Sequence, residues 1–285
     1  MKSVVFLLLV TSFIGLPKYS QQTFWRHHKP SLPSDPNNVI YQRLQNIPSP
    51  QKTAQSFLTN FVLGYPAQAV RLGVVAKRVP PKEEHVIIVM DASGSIGSCE
   101  FKEGKKAMVK MMQLCPEKGP SYSCLYSAVS YSSLATVVFR YLPLARASPK
   151  MTKIHYPGRG TNTRAGLDEA AKIIQAGMRD RPFAERQVLL VTDGQSNDKK
   201  ATINSAKNLK SIHAANVKIS VVAVGKYIHG IDEMAKVASY PPEKHVYRVE
   251  KLSELKYVFE LALKKMNRKY VAIKPPKSLC SRLGR

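Results

Sequence analysis

From His85 to about residue 270 the chain alternates short β-branched runs with amphipathic stretches, and few architectures satisfy that alternation. The runs are HVIIVM (85–90), SAVSY (127–131), ATVVF (135–139), QVLLV (187–191), VKISVVAV (217–224) and HVYRV (245–249). Amphipathic stretches fall at about 100–114, 164–177, 201–215, 231–239 and 253–268, where apolar residues recur at helical spacing. Four of the six runs are almost continuously apolar, the mark of parallel strands covered on both faces. The pattern predicts a doubly wound, Rossmann-like α/β fold: a mostly parallel sheet with helices on both faces. Three residues separate 127–131 from 135–139, too few for a crossover, so this pair forms a hairpin and supplies one antiparallel edge strand.

Open sheets of this kind bind ligands at the carboxyl ends of their strands. The first run leads directly into Asp91-Ala92-Ser93-Gly94-Ser95, one carboxylate and two hydroxyls on a turn before a helix. QVLLV ends in Thr192-Asp193-Gly194, bringing a second carboxylate to the same edge. The loop before the helix at 164 reads Gly158-Arg159-Gly160-Thr161-Asn162-Thr163 and adds a further hydroxyl. Hard oxygen donors with two carboxylates, spread over three loops, suit an octahedral divalent ion such as Mg2+ or Mn2+, with Ca2+ the other hard candidate.

The strand-linked DASGS, the GTNT loop and the strand-linked TDG occur in an order and at separations that resemble the von Willebrand factor type A domain with a metal-ion-dependent adhesion site, of the extracellular type found in matrilins and collagens. The resemblance covers about residues 84–270. It implies a metal set of Asp91, Ser93, Ser95, Thr161 and Asp193, with an acidic group on a partner completing the coordination shell. It further implies a secreted, non-enzymatic adhesion or extracellular matrix protein, including the organic matrix of a shell or skeleton. Arg159 stands where the family often has glycine, and Arg164 follows closely; both raise the positive potential flanking the ligand.

Outside that region, residues 1–20 read as a secretory signal: Lys2 precedes about a dozen apolar residues, too short a run for a comfortable membrane span. No later stretch is long and apolar enough to anchor the chain in a bilayer, so the expectation is a secreted protein without a membrane anchor. Residues 21–83 contain Pro33, Pro36, Pro48, Pro50, Pro80 and Pro81 and few acids, which predicts a basic, loosely ordered extension. Within it, 55–75 is apolar enough to form a short helix or strand docked on the main domain, and Lys77-Arg78 is a candidate processing pair. Residues 271–285 form a basic tail.

Four cysteines fit an oxidising compartment. Cys99 and Cys115 would lie about 24 Å apart on one helix, which forbids their pairing. Cys115 and Cys124 are the nearest candidates, with Cys280 an alternative partner for either.

Lys and Arg outnumber Asp and Glu by 44 to 19, a net charge of +25, so any preferred surface is anionic. The excess is spread along the chain without aromatic interleaving or zinc-finger spacing, which argues against nucleic acid. On the last predicted helix, Val258, Phe259, Ala262 and Met266 form a core face, while Lys264, Lys265, Arg268 and Lys269 cluster outward. That cluster supports an alternative reading: a polyanion-binding component, for glycosaminoglycan or biomineral matrix, acting by surface charge without metal.

Enzyme classes fit poorly. A strand-end Asp nucleophile of the haloacid-dehalogenase type needs a second Asp two residues on, where Ser93 stands. GxSxG and GxxxxGK[ST] are absent, and none of the seven histidines falls in a triad or metal-ligand spacing; the adjacent His27-His28 could bind metal, but such a pair is more often exposed polar surface.

Overall fold

The runs at 85–90, 187–191 and 217–224 are buried because each packs on both faces, whereas the edge run at 135–139 buries Phe139 and leaves its other residues partly or fully exposed. The structure, a computed structural model, describes residues 37–64, 82–212, 217–275 and 280. The leader, Lys77-Arg78 and His27-His28 lie outside the described residues.

Strand β1 (Lys82–Asp91) is buried from Glu84 onward. Its alternate residues serve opposite cores, as the pleat requires. Val86, Ile88 and Met90 face one layer; Ile87 and Val89 face the other. Around β1 lie β2 (Tyr122–Tyr131), β3 (Ala135–Leu142), β4 (Glu185–Thr192), β5 (Val217–Val224) and β6 (Val246–Val249). The sheet order is β3-β2-β1-β4-β5-β6, parallel throughout except where β3 pairs antiparallel with β2 at the edge. This is the predicted doubly wound sheet with its hairpin. From β1 the chain builds outward through β2 and β3, then crosses to the other side for β4, so the strand order reverses between β1 and β4. The crevice for a ligand lies at their carboxyl ends.

Helix α3 (Ser98–Met112) lies on the first layer with α9 (Leu252–Met266) and α4 (Leu144–Thr152). The second carries α5 (Thr163–Met178), α6 (Lys199–Lys210) and α7 (Ile231–Val237). A short helix, α8 (Pro242–His245), precedes β6. Sequence periodicity found these helices to within a few residues, except Pro242–His245 and α4. Helix α4 buries just Ala147 and Met151 and carries Pro149 inside it, so its apolar stripe is too short to register as a period.

The amino-terminal extension departs from expectation in part. Helices α1 (Asn37–Gln45) and α2 (Pro50–Phe57) form here, α2 continuing as a π turn through Val62. From Val39 on, the described residues belong to one compact unit. Ser49 Oγ caps the second helix by accepting the Lys52 N–H at 3.4 Å, with Pro50 in its first turn. Phe57 is 1% exposed and packs against Phe61, Tyr247 and Phe259, with ring centroids 4.6 to 5.0 Å apart. The side-chain amide of Gln45 pairs with the backbone of Ile228, donating to its carbonyl at 2.6 Å and accepting its N–H at 3.1 Å. Burial of these aromatics orders a stretch whose prolines and polarity suggested looseness. Residues 65–81 lie outside the described residues.

Cys115 and Cys124 are bonded, with Cα atoms 6.3 Å apart. Cys99, in the first turn of α3, bonds Cys280, Cα to Cα 5.7 Å. No free cysteine remains among the described residues, and none of their helices is long and apolar enough to cross a membrane.

Candidate metal centre

Strand β1 ends on Asp91, whose side chain is fully buried. Its Oδ1 accepts the Ser93 N–H at 2.8 Å, which bends the chain into the turn that exposes Ser95. Gly97, at φ 76°, then admits the left-handed backbone needed to enter α3. The 158–160 loop lies directly on this turn: Gly94 N–H donates to Arg159 O at 2.8 Å and Gly158 N–H to Ala92 O at 3.1 Å. A Cβ on Gly94 would stand 3.2 Å from Gly158 O, so the close approach favours glycine there.

The three sequence motifs meet here. Ser93 Oγ and Ser95 Oγ are 3.0 Å apart, and Ser95 Oγ donates to Asp193 Oδ1 at 2.9 Å. Thr161 is held by the loop after β4: its carbonyl accepts the Asn197 N–H at 2.8 Å and its N–H donates to Asn197 Oδ1 at 3.3 Å. Behind this layer, Asp91 Oδ2 accepts the hydroxyls of Thr192 at 2.8 Å and Tyr131 at 3.3 Å. Thr163 Oγ1 donates onward to Tyr131 OH at 3.3 Å, and Tyr156 OH donates to Ser93 O at 2.9 Å. The spacing of motifs did not single out Tyr131, Thr163, Tyr156 or Asn197. The position of Tyr131, last on β2 and opposite Asp91 in register, was the available signal.

Burial raises the pKa of Asp91 although Ser93, Thr192 and Tyr131 all donate to it. Asp193 is pushed up to about 6, first by burial and then by the charge of Asp91. Two dehydrated carboxylates therefore repel each other at this edge, and a cation bound beside them relieves both penalties.

The donor set fits a divalent ion. Adjacent ligands around octahedral Mg2+, with bonds of about 2.0 to 2.1 Å, stand about 2.9 Å apart, the spacing of Ser93 Oγ, Ser95 Oγ and Asp193 Oδ1. All donors are carboxylate or hydroxyl oxygen, which favours hard ions. The described residues hold no group of three or more His, Cys, Asp and Glu fit for a metal, so hydroxyls have to supply the rest of such a shell.

The flanking arginines part company. Arg159 is exposed and lines a cavity of 660 Å³ with Ser132, Ser133, Lys153 and His155. Arg164 pairs with Asp168 on its own helix at 3.3 Å. The cluster Lys264, Lys265, Arg268 and Lys269 does not join the site, because α9 starts at the carboxyl edge and carries these residues to the opposite end.

Sheet topology and site together define a doubly wound α/β binding domain with an oxygen-lined centre at its topological switch point. More particularly, the chain belongs to the von Willebrand factor type A domain family, whose model matches residues 85–261. It is 26% identical over 190 residues to the mouse Sushi, von Willebrand factor type A, EGF and pentraxin domain-containing protein 1, covering 62% of this chain and 5% of that protein. With the mouse collagen alpha-4(VI) chain it shares 25% identity over 181 residues, covering 61% and 7%. The chain thus spans a small fraction of these relatives' length. Among solved structures, proximal thread matrix protein 1 from the mussel byssus, with a zinc-occupied MIDAS motif, superposes with a TM-score of 0.53 at 18% identity, covering 66% of this chain and 49% of that one. At that identity the likeness concerns the fold.

Proposed function

We propose that this protein is a secreted, non-enzymatic adhesion or extracellular matrix component that captures an acidic protein or matrix ligand through a divalent ion, Mg2+ foremost. The observation that carries the reading is the continuous arc of Ser93 Oγ, Ser95 Oγ and Asp193 Oδ1 at ligand spacing, backed by buried Asp91. Thr161 completes the proposed set. Matrix names among the relatives and two disulfides support the extracellular setting.

In this reading Ser93, Ser95 and Thr161 present neutral oxygens, while Asp91 and Asp193 supply the negative charge. Bound there, a hard divalent ion offers a Lewis-acidic position to a partner carboxylate. Arg159, exposed beside it, favours an anionic partner and disfavours a cationic one. Asp91, with both oxygens already accepting hydrogen bonds, keeps the hydroxyl layer in place from behind.

Titration calorimetry tests the assignment. Asp91→Ala and Asp193→Ala should each abolish measurable Mg2+ binding while circular dichroism shows a retained fold. Undiminished Mg2+ affinity in both variants would sink it. Capture of an acidic matrix extract should likewise be lost in EDTA and restored by Mg2+.

A further inference from the structure

The end of the domain opposite the candidate metal centre carries a cluster of exposed cations. Helix α9 leaves the carboxyl edge at Leu252 and runs 15 residues, about 21 Å along its axis, so its last turn is far from Asp91 and Asp193. That exceeds twice the Debye length of about 8 Å at physiological salt, so the two ends act independently.

Residues 264–269 contain Lys264, Lys265, Arg268 and Lys269 and no acid. The helix stops at Asn267, whose carbonyl accepts the Tyr270 N–H at 2.9 Å and whose Oδ1 accepts the Lys269 N–H at 3.1 Å. This turn holds Arg268 and Lys269 at an exposed tip beside exposed Lys264 and Lys265. From the neighbouring helix, Lys110 lies over the Tyr270 ring, 5.5 Å from its centroid, and extends the array onto α3.

Local carboxylates are already engaged. Glu260 pairs with Lys256 at 3.4 Å and accepts the Ile273 N–H at 2.8 Å, and Glu103 pairs with Lys106 at 2.7 Å. Glu117, on the 3-10 turn Pro116–Lys118 packed against α9, is the acid set against this array. Among the described residues, Lys264, Lys265, Arg268 and Lys269 enter no ion pair. The helix dipole favours cations in the last turn and so accounts for Lys264 and Lys265, but Arg268 and Lys269 lie beyond it.

We infer that this surface binds a linear sulfated polysaccharide, making the domain two-ended, with a sulfated glycan at the amino edge of the sheet independent of any metal at the carboxyl edge. Charges displayed along an exposed helix end and turn meet an extended polyanion rather than a single enclosed ion. Lys110 takes one face of the half-buried Tyr270 ring, which leaves a poor stacking platform for bases.

Calorimetry and salt elution with size-defined heparin oligosaccharides test this on the full disulfide-bonded chain. Lys264→Glu with Lys265→Glu, and Arg268→Glu with Lys269→Glu, should each weaken binding about tenfold or more at 0.15 M salt. Each should also flatten its salt dependence. Arg146→Glu with Lys150→Glu, exposed on α4, changes net charge equally and should cost less than about twofold. The corresponding Gln variants guard against misfolding and should show a smaller loss in the same order. EDTA and Asp91→Ala should leave heparin binding unchanged, which separates this surface from the metal reading. Equal losses in the charge-matched pairs would overturn the inference in favour of diffuse net charge, and loss in EDTA would overturn it in favour of the metal. Tighter binding to a polyphosphorylated peptide than to heparin would overturn the sulfate assignment.

Discussion

Asp91 is a buried carboxylate held by one backbone N–H and two hydroxyls, and its partners set how well it can serve a cation. Residues that orient ligating groups typically change metal affinity by about 10- to 100-fold when removed. Thr192→Val deletes the 2.8 Å donor without changing side-chain volume much, so calorimetry should show Mg2+ affinity reduced by about that factor, with Thr192→Ser close to wild type. His85 presents the opposite case, a buried base kept neutral. Its Nε2 pairs with Ser127 Oγ at 2.8 Å, its ring lies 4.2 Å from that of Tyr141, and Nδ1 has no hydrogen-bond partner among the described residues. Burial, then the charges of Arg186 and Arg181, lower its pKa to about 3. Between there and the unfolded value near 6.5 the unfolded chain binds the extra proton, so stability present above pH 6.5 is lost as pH falls toward 3. The loss assignable to His85 is at most about 5 kcal/mol. Denaturant titrations of His85→Gln should show a shallower decline between pH 6.5 and 4 than wild type; parallel curves would refute this.

At the scale of elements, legibility followed the length of the buried stripe. Helix α9 buries Leu252, Leu255, Val258, Phe259, Ala262 and Leu263, a full helical period, and its extent could be read from residues alone. Helix α4 buries two residues and could not. The helix Pro50–Phe57 and its π turn bury Phe57, Leu58, Phe61 and Val62, yet their partners, Tyr247 and Phe259, lie about two hundred residues away. Apolar content revealed that something there docks, but not where. If this docking is integral to the core, Phe57→Ala should destabilise the protein by about 3 to 5 kcal/mol in urea unfolding, in a single transition. A loss below about 1 kcal/mol would mean that the segment is an appendage.

For the whole molecule, the two disulfides close loops of very different length. Cys115–Cys124 spans 9 residues and Cys99–Cys280 spans 181. Chain-entropy estimates give about 2.6 and 5 kcal/mol respectively. The longer bond joins the chain's last described residue to the first turn of α3, directly after the Ser93–Ser95 turn, so it also braces the candidate metal centre. Peptide mapping of the non-reduced protein should find both pairs. Cys280→Ser with Cys99→Ser should lower stability more than Cys115→Ser with Cys124→Ser, and the reverse order in urea unfolding would contradict the loop-length account.

The sequence by itself determined the α/β class, the six strands and the family resemblance, because these depend on signals local to a few residues: continuous apolar runs, and ligand-type oxygens placed immediately after strand ends. Tertiary structure alone decided that Tyr131 and Thr192 stand behind Asp91, that the Arg159 carbonyl holds the turn at Gly94 while Arg164 turns to Asp168, and that Cys280 reaches Cys99. It also decided that the cations of α9 lie at the far end from the carboxylates. Each of these outcomes except the Arg164 pairing rests on contacts or placement between residues far apart in the chain. Their energies appear when the sheet order and helix lengths bring the partners together, so no local pattern records them.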